Sequence, residues 1–296
     1  MALSYENCAL CARRCGINRA FGQTGFCKTT DKVTVARAAL HNWEEPVISG
    51  TRGSGAIFFS GCSLGCVFCQ NREISRGENG TLISKERLAE IMLELRNQGA
   101  HNINLVTPTH FVPSIKEALI IAKARGLDIP IVYNTSSYDS VETLKELEGF
   151  VDIYLPDFKY YSERTAKKLS LAEDYPNVAR CAIAEMVRQR SLPQIRDGIM
   201  LSGVIARILL LPHHVAEAKL SLKYLYETYG DSIYISLMNQ YTPIPNMPPP
   251  LDRQVTRSEY FDLLGYAEKL GIKNGFIQDF GTAAEAFIPE FDNTGV

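Results

Sequence analysis

The chain has little that would tie it to a membrane or to nucleic acid. No apolar run approaches the ~18 residues that mark a membrane span. The strongest candidate, Val204 to Pro212, is short and carries Arg207. Basic residues are not in excess. The net charge of −2 leaves no electrostatic footprint for nucleic acid. The first residues, Met1 to Asn7, lack the basic stretch and apolar core of a signal peptide, so the cytoplasm is the expected compartment. Tryptophan is nearly absent. The single one, Trp43, is expected to be a packing anchor. What is not scarce is cysteine. Eight thiols in a reducing compartment read as metal ligands before disulfides.

Three of them, Cys62, Cys66 and Cys69, form C-x3-C-x2-C just after the apolar run Ala56–Gly61. A strand there delivers its end to a tight loop, and three thiolates face one point. Soft ligands of this kind suit an iron–sulfur cluster. Such a cluster normally takes four cysteines, so three leave one iron open for chemistry. The spacing differs from the C-x2-C-x2-C run of ferredoxins, whose clusters only carry electrons. A zinc knuckle or buried free thiols are the plainer readings, and the strand, glycines and aromatic around the triad weigh against them.

The segment Phe59-Ser60-Gly61-Cys62-Ser63-Leu64-Gly65-Cys66-Val67-Phe68-Cys69-Gln70-Asn71 resembles the cluster loop of radical S-adenosylmethionine (SAM) enzymes, including Phe68 directly before the third cysteine. The resemblance implies a [4Fe–4S] cluster whose open iron is chelated by SAM. It also implies reductive cleavage of SAM to a 5′-deoxyadenosyl radical, which abstracts a hydrogen atom. The protein's part in such chemistry is orientation and exclusion of water and oxygen.

Strand-like runs recur at Ala56–Gly61, Ile103–Thr107, Pro130–Thr135, Val151–Pro156, Ile205–Leu211 and Ile233–Met238. They are largely apolar, as buried parallel strands are. Helical patterns separate them. Ser84 and Ser140 are candidate N-caps, and Val215–Tyr229 and Arg257–Leu270 are further helices, the last ended by Gly271. The expected fold is α/β: a partial (β/α)6 parallel barrel of radical SAM type, with a small N-terminal cysteine-rich segment. Residues 1–50 are expected to be the metal-binding segment and lead-in. Residues 51–296 are expected to be the barrel with a C-terminal helical extension.

In a β/α barrel the site lies at the C-terminal ends of the strands. All six ends are polar here. They present the cysteine loop, Thr107–His110, Asn134–Ser137, Asp157–Lys159, Arg207 with Pro212–His214, and Asn239–Tyr241. His110, Asn239 and Gln240 are candidate substrate contacts on this ground. The proline-rich stretch Tyr241–Pro250 is expected to hang over the mouth.

From about His41 onwards the chain is similar to pyruvate formate-lyase activating enzymes. The resemblance implies that Asp157 and Lys159 meet a protein substrate, as an Asp-x-Lys motif does there. It implies that Arg207, in Arg207–Pro212, lies near SAM, and that Asn134 and Ser136 occupy SAM-binding positions. Asn134 stands where that family has an aspartate. Thr107 to His110 replaces its glycine-rich SAM-amino segment, with Thr107 and Thr109 as the candidate contacts. These departures favour an activator-like relative with another substrate.

Cys8, Cys11, Cys15 and Cys27 give C-x2-C-x3-C-x11-C. A segment this small needs a staple to stay folded. Four thiolates satisfy tetrahedral zinc or hold a second [4Fe–4S] cluster. The departure from a ferredoxin run favours zinc, and both stay open. Cys181, in a helical run, is expected to be a buried small hydrophobe. The function expected is hydrogen abstraction from a protein or peptide, such as the glycine of a glycyl radical enzyme, with a reducing electron donor as second partner. The alternative is an iron–sulfur protein that transfers electrons or docks a partner without cleaving SAM.

Overall fold

The structure is a computed structural model that describes residues 3–279 and 288–296. Among the described residues ten strands form one sheet: β1 (Val33–His41), β2 (Ser54–Phe59), β3 (Thr81–Ile83), β4 (Ile103–Val106), β5 (Ile131–Thr135), β6 (Ile153–Pro156), β7 (Gln194–Arg196), β8 (Ile199–Leu209), β9 (Tyr234–Met238) and β10 (Gly275–Ile277). Their order is β10-β9-β8-β6-β5-β4-β2-β1-β3, with β7 paired to β8. From β2 to β10 all neighbours on this path are parallel. β1 lies antiparallel on β2, and β3 antiparallel on β1. The sheet does not close, since β3 and β10 are its two ends. The six expected strands are the core of this partial barrel. β1, β3, β7 and β10 are additions to it.

Alternation along each strand sets the two faces. Ile57, Leu105, Tyr133, Tyr154 and Ala206 point outward into the core shared with the helices. Val132, Ile153, Leu155 and Ile205 point inward and pack on Ile48 and Met200. Ile48 comes from the short helix Pro46–Ser49, in the connection between β1 and β2. That connection runs through the barrel interior and closes its floor. Asn102 Nδ2 donates to the Ile48 carbonyl at 2.8 Å, and Ser54 Oγ donates to Asn102 Oδ1 at 2.6 Å.

The outer helices start where their caps put them. Ser84 accepts from the Arg87 amide and opens helix Lys85–Asn97. Ser140 accepts from the Thr143 amide and opens Val141–Lys145. Thr256 and Glu259 form a reciprocal capping box at the start of Arg257–Leu270, and Gly271 ends that helix at φ 78°. Two sequence expectations need correction. Cys181 sits on the exposed side of helix Tyr175–Gln189 and is not buried. Trp43 is 59% exposed and is no packing anchor, because its segment has just left β1 at the rim of the barrel.

Candidate functional site

The inner rows of the barrel change character toward the C-terminal ends of the strands. Two residues past Val132 comes Asn134, two past Leu155 comes Asp157, and two past Ile205 comes Arg207. The same alternation that fills the floor with aliphatic groups thus places three polar side chains above it. They line a cavity of about 200 Å³ at the barrel mouth.

Arg207 is the hub of this layer. Its Nε donates to Asp157 Oδ1 at 2.7 Å, its Nη1 to Glu44 Oε2 at 3.1 Å, and its Nη2 to Asn134 Oδ1 at 2.7 Å. Lys159 Nζ takes the other Asp157 oxygen at 2.7 Å. Glu44 Oε1 accepts from Asn134 Nδ2 at 3.2 Å and Asn104 Nδ2 at 3.0 Å. Burial would raise the Asp157 pKa, but Arg207 and Lys159 outweigh it and hold the carboxyl below the ordinary value. Burial would lower that of Lys159, but the Asp157 carboxylate holds it up. Glu44 and Glu45 are raised, chiefly by burial, which Arg207 only partly offsets.

Glu44 was not singled out by the sequence. It lies in no strand and reaches the site only because the β1–β2 connection threads the interior. The available signal was two polar residues, Asn104 and Asn134, on otherwise apolar inner rows, which call for a buried polar partner.

Cys62, Cys66 and Cys69 follow β2 and open onto the same cavity. Ser170 Oγ donates to Cys66 Sγ at 3.2 Å, and the Leu64 amide to Cys62 Sγ at 3.4 Å. Burial and the neighbouring thiolates raise the Cys62 thiol and push Cys69 up to about 12. Positive charge between them would favour the thiolate form of Cys62 and Cys69. Phe68 is packed edge-on between Tyr160 and Tyr241, with ring centroids at 6.4 and 6.2 Å, and borders the cavity.

The remaining candidates divide. Thr107, Ser136, Asp157, Lys159 and Gln240 border the cavity, as do Tyr241 at the same strand end as Gln240 and the unforeseen Trp43 and Glu44. Thr109, His110 and Asn239 do not. After Thr107 at φ 59° the chain enters the tight helical turn Thr109–Phe111. This turn buries Thr109, which donates to Asp139 Oδ1 at 2.7 Å. It also buries His110 against Phe111, with His110 Nε2 2.7 Å from the Ser60 carbonyl. Asn239 is buried just past the end of β9, and its backbone amide donates to Gln278 Oε1 at 2.9 Å.

A family model described as the radical SAM superfamily matches residues 56–213, from the first parallel strand to just past the Arg207 strand.

The chain belongs to the radical SAM superfamily.

An uncharacterized protein of Methanocaldococcus jannaschii is 29% identical over 279 residues, covering 90% of this chain and 76% of its own. Among solved structures, Streptococcus suis SuiB bound to its precursor peptide SuiA is similar at a TM-score of 0.52 and 11% identity, covering 75% of this chain and 47% of SuiB. The FeFe-hydrogenase maturase HydG of Carboxydothermus hydrogenoformans is similar at a TM-score of 0.50 and 13% identity, covering 79% of this chain and 59% of HydG. The chain spans about half the length of these solved structures, and the likeness to them is one of fold.

Membership implies a [4Fe–4S] cluster and SAM, and the residues of this radical SAM chain fit both. Three soft thiolates face one cavity, with protein N–H and O–H donors already on two of the sulfurs. The same cavity is bordered by Asn71, whose buried Oδ1 has no partner among the described residues. It is an acceptor available to a ligand. No helix among the described residues is long and apolar enough to cross a membrane.

Proposed function

We propose that this radical SAM enzyme binds SAM in the mouth cavity and abstracts a hydrogen atom from a protein or peptide, in the manner of a glycyl radical enzyme activase. The observation that carries the reading is one shared cavity. It is bordered on one side by Cys62, Cys66 and Cys69 and on the other by the Lys159–Asp157–Arg207 chain. When bound, the cluster and SAM supply reductive carbon–sulfur cleavage and a carbon-centred radical. An external low-potential donor supplies the electron.

The chain's own residues bind, orient and shield. Phe68, Thr107, Asn134, Ser136 and Arg207 border the space assigned to SAM. Arg207 is held by three partners, so it acts as a fixed wall of positive charge rather than a mobile clamp. Lys159 and Asp157 border the same cavity and, along with Gln240, are assigned to contact with substrate. SuiB, with the same fold, binds a precursor peptide, which supports a peptide as the substrate class. We also assign Cys8, Cys11, Cys15 and Cys27 to a metal centre of their own, within a segment 1–50 that leads into the barrel 51–296. The cytoplasm, a reducing compartment, suits eight unpaired thiols.

Anaerobic reconstitution with iron, sulfide and a strong reductant, followed by an assay for 5′-deoxyadenosine, tests the reading. Product formed in proportion to cluster content supports it. A loaded cluster with no product returns the chain to electron transfer or partner docking.

A further inference from the structure

The triad loop is docked on the C-terminal end of the helix Glu163–Ser170. A helix end leaves its last carbonyls without partners inside the helix, and Leu171 stops this one in the left-handed region at φ 49°. The loop takes up one of those carbonyls, as the Val67 amide donates to Leu169 at 2.9 Å. Arg13 joins the two sides. It donates to the Ser63 and Leu64 carbonyls of the loop at 3.0 and 3.2 Å. It also donates to the Ser170 and Leu171 carbonyls of the helix end at 2.9 and 2.6 Å. Its guanidinium is braced over the Phe26 ring, 3.7 Å from the centroid. The backbone at Ser170 is thereby fixed against the loop that carries Cys66.

That placement puts a hydroxyl on a ligand sulfur. Ser170 Oγ donates to Cys66 Sγ at 3.2 Å, across 104 residues of sequence. Cys62 is served differently, by the Leu64 amide of its own loop at 3.4 Å. Behind Ser170 stands Tyr160, whose hydroxyl oxygen is 2.6 Å from Ser170 Oγ. Both side chains are fully buried, so water does not compete for either hydroxyl. The direction of the chain follows from donor capacity. A thiolate bound to iron carries no proton and only accepts. Ser170 has one proton and gives it to Cys66, so Tyr160 has to donate to Ser170. Burial holds the Tyr160 phenol well above its usual range, and its proton stays in place. The Tyr160 ring is itself held edge-on by Tyr175, with centroids 5.2 Å apart.

Hydrogen bonds to cluster sulfurs are one control on reduction potential. Reduction adds one electron, and so negative charge, to the cluster and its thiolates. A donor on a sulfur therefore stabilises the reduced state more than the oxidised one, and most where burial keeps the local dielectric low. We infer that Ser170, oriented by Tyr160, raises the reduction potential of the catalytic cluster through Cys66 and eases its one-electron reduction by the external donor. Neither hydroxyl gives up its proton in that step. Tyr160 acts through Ser170 and is a positioning residue. Neither residue borders the mouth cavity, so both lie outside the space assigned to SAM and substrate. The inference rests on the cluster reading of Cys62, Cys66 and Cys69.

The test is an anaerobic redox titration of full-length, reconstituted protein, followed by electron paramagnetic resonance. The catalytic signal is the one absent from Cys66→Ala. Ser170→Ala should keep its iron and sulfide and shift the midpoint to more negative potential. The ratio of reduced to oxidised cluster at one fixed potential should fall about 3- to 10-fold, which is roughly 30–60 mV for a one-electron couple. Tyr160→Phe keeps the ring and should shift the midpoint the same way by less. Should Ser170→Ala lose its iron, Tyr160→Phe carries the test with the same sign. A Ser170→Ala midpoint equal to the parent's overturns the inference while the cluster stands, and a Tyr160→Phe midpoint equal to the parent's overturns the positioning role. Loss of iron from both variants also overturns the inference, because the hydroxyls then hold the loop together and do not tune it. A parent without the signal overturns the cluster reading itself, and this inference with it.

Discussion

Arg207 and Asp157 face each other across parallel strands, β8 and the end of β6, with Nε 2.7 Å from Oδ1. The pair sits in a layer where Lys159 holds the second Asp157 oxygen and Glu44 takes the far side of the guanidinium. Buried charges are tolerated only when each has its partners. Two cations are therefore spent on keeping Asp157 ionised, and the Asp157 carboxylate keeps Lys159 charged at the edge of the cavity.

Arg207→Met should leave Asp157 and Glu44 facing one another without their shared cation. The expected loss is about 3–5 kcal/mol of stability, read as a lower urea midpoint, together with loss of SAM binding by equilibrium dialysis. Arg207→Lys restores charge but not the three-way fork, so it should regain part of the stability and little of the binding. A midpoint for Arg207→Met within error of the parent would remove the hub role.

Cys62→Ala, Cys66→Ala and Cys69→Ala should each lose the catalytic cluster's absorbance and 5′-deoxyadenosine formation while the barrel stays folded by far-ultraviolet circular dichroism. Two thiolates are too few to retain the cluster. A single variant that cleaves SAM at the parent rate would sink the assignment.

Lys159→Met separates substrate contact from SAM cleavage. Asp157 keeps Arg207, so the layer survives. Loss of one charge-assisted contact of roughly 1.5–3 kcal/mol should slow hydrogen transfer to the true substrate about 10- to 100-fold. Uncoupled SAM cleavage should remain close to the parent's. Equal losses in both assays would place Lys159 at SAM instead.

His110 makes stability depend on pH. Burial, with Arg19 adding to it, lowers its pKa to about 3 from an ordinary 6.5, so the folded protein keeps it neutral beside the Ser60 carbonyl. Below pH 6.5 the unfolded chain takes up a proton that the folded chain refuses. Stability is therefore full above that pH and falls as pH drops toward 3. Urea midpoints between pH 7 and 4 should show a steeper decline for the parent than for His110→Gln, and parallel curves would exclude this source.

The parallel core was legible because its strands are short, nearly continuous apolar runs with polar ends, such as Ile153–Leu155 before Asp157. The flanking strands were not. β3 and β7 are three residues long and carry exposed residues, so no burial pattern marks them. β1 is nine residues long but pairs antiparallel at the margin, with a register shift between Val35 and Arg37, which the β/α rhythm does not announce. At the site, Asn134, Asp157 and Arg207 were placed by their strand ends and by the resemblance to activating enzymes, and the two-residue step from Val132, Leu155 and Ile205 is why they share one face. Thr109 and His110 were read as facing the mouth because they follow a strand. The turn after Thr107 redirects them, and a turn of that kind leaves no periodic trace. Glu44 needed knowledge of where a connection runs in space.

That connection has a consequence for how the molecule responds to change. Ile48 closes the apolar floor, and Glu44, four residues earlier on the same short stretch, holds Arg207 at the cavity. Floor and ceiling are thus one piece of chain. Damage far beneath the reacting atoms, such as Ile48→Ala, would be felt first as a misplaced guanidinium. Thermal tolerance and cofactor affinity should rise and fall together along residues 44–49, and neither can be tuned there alone.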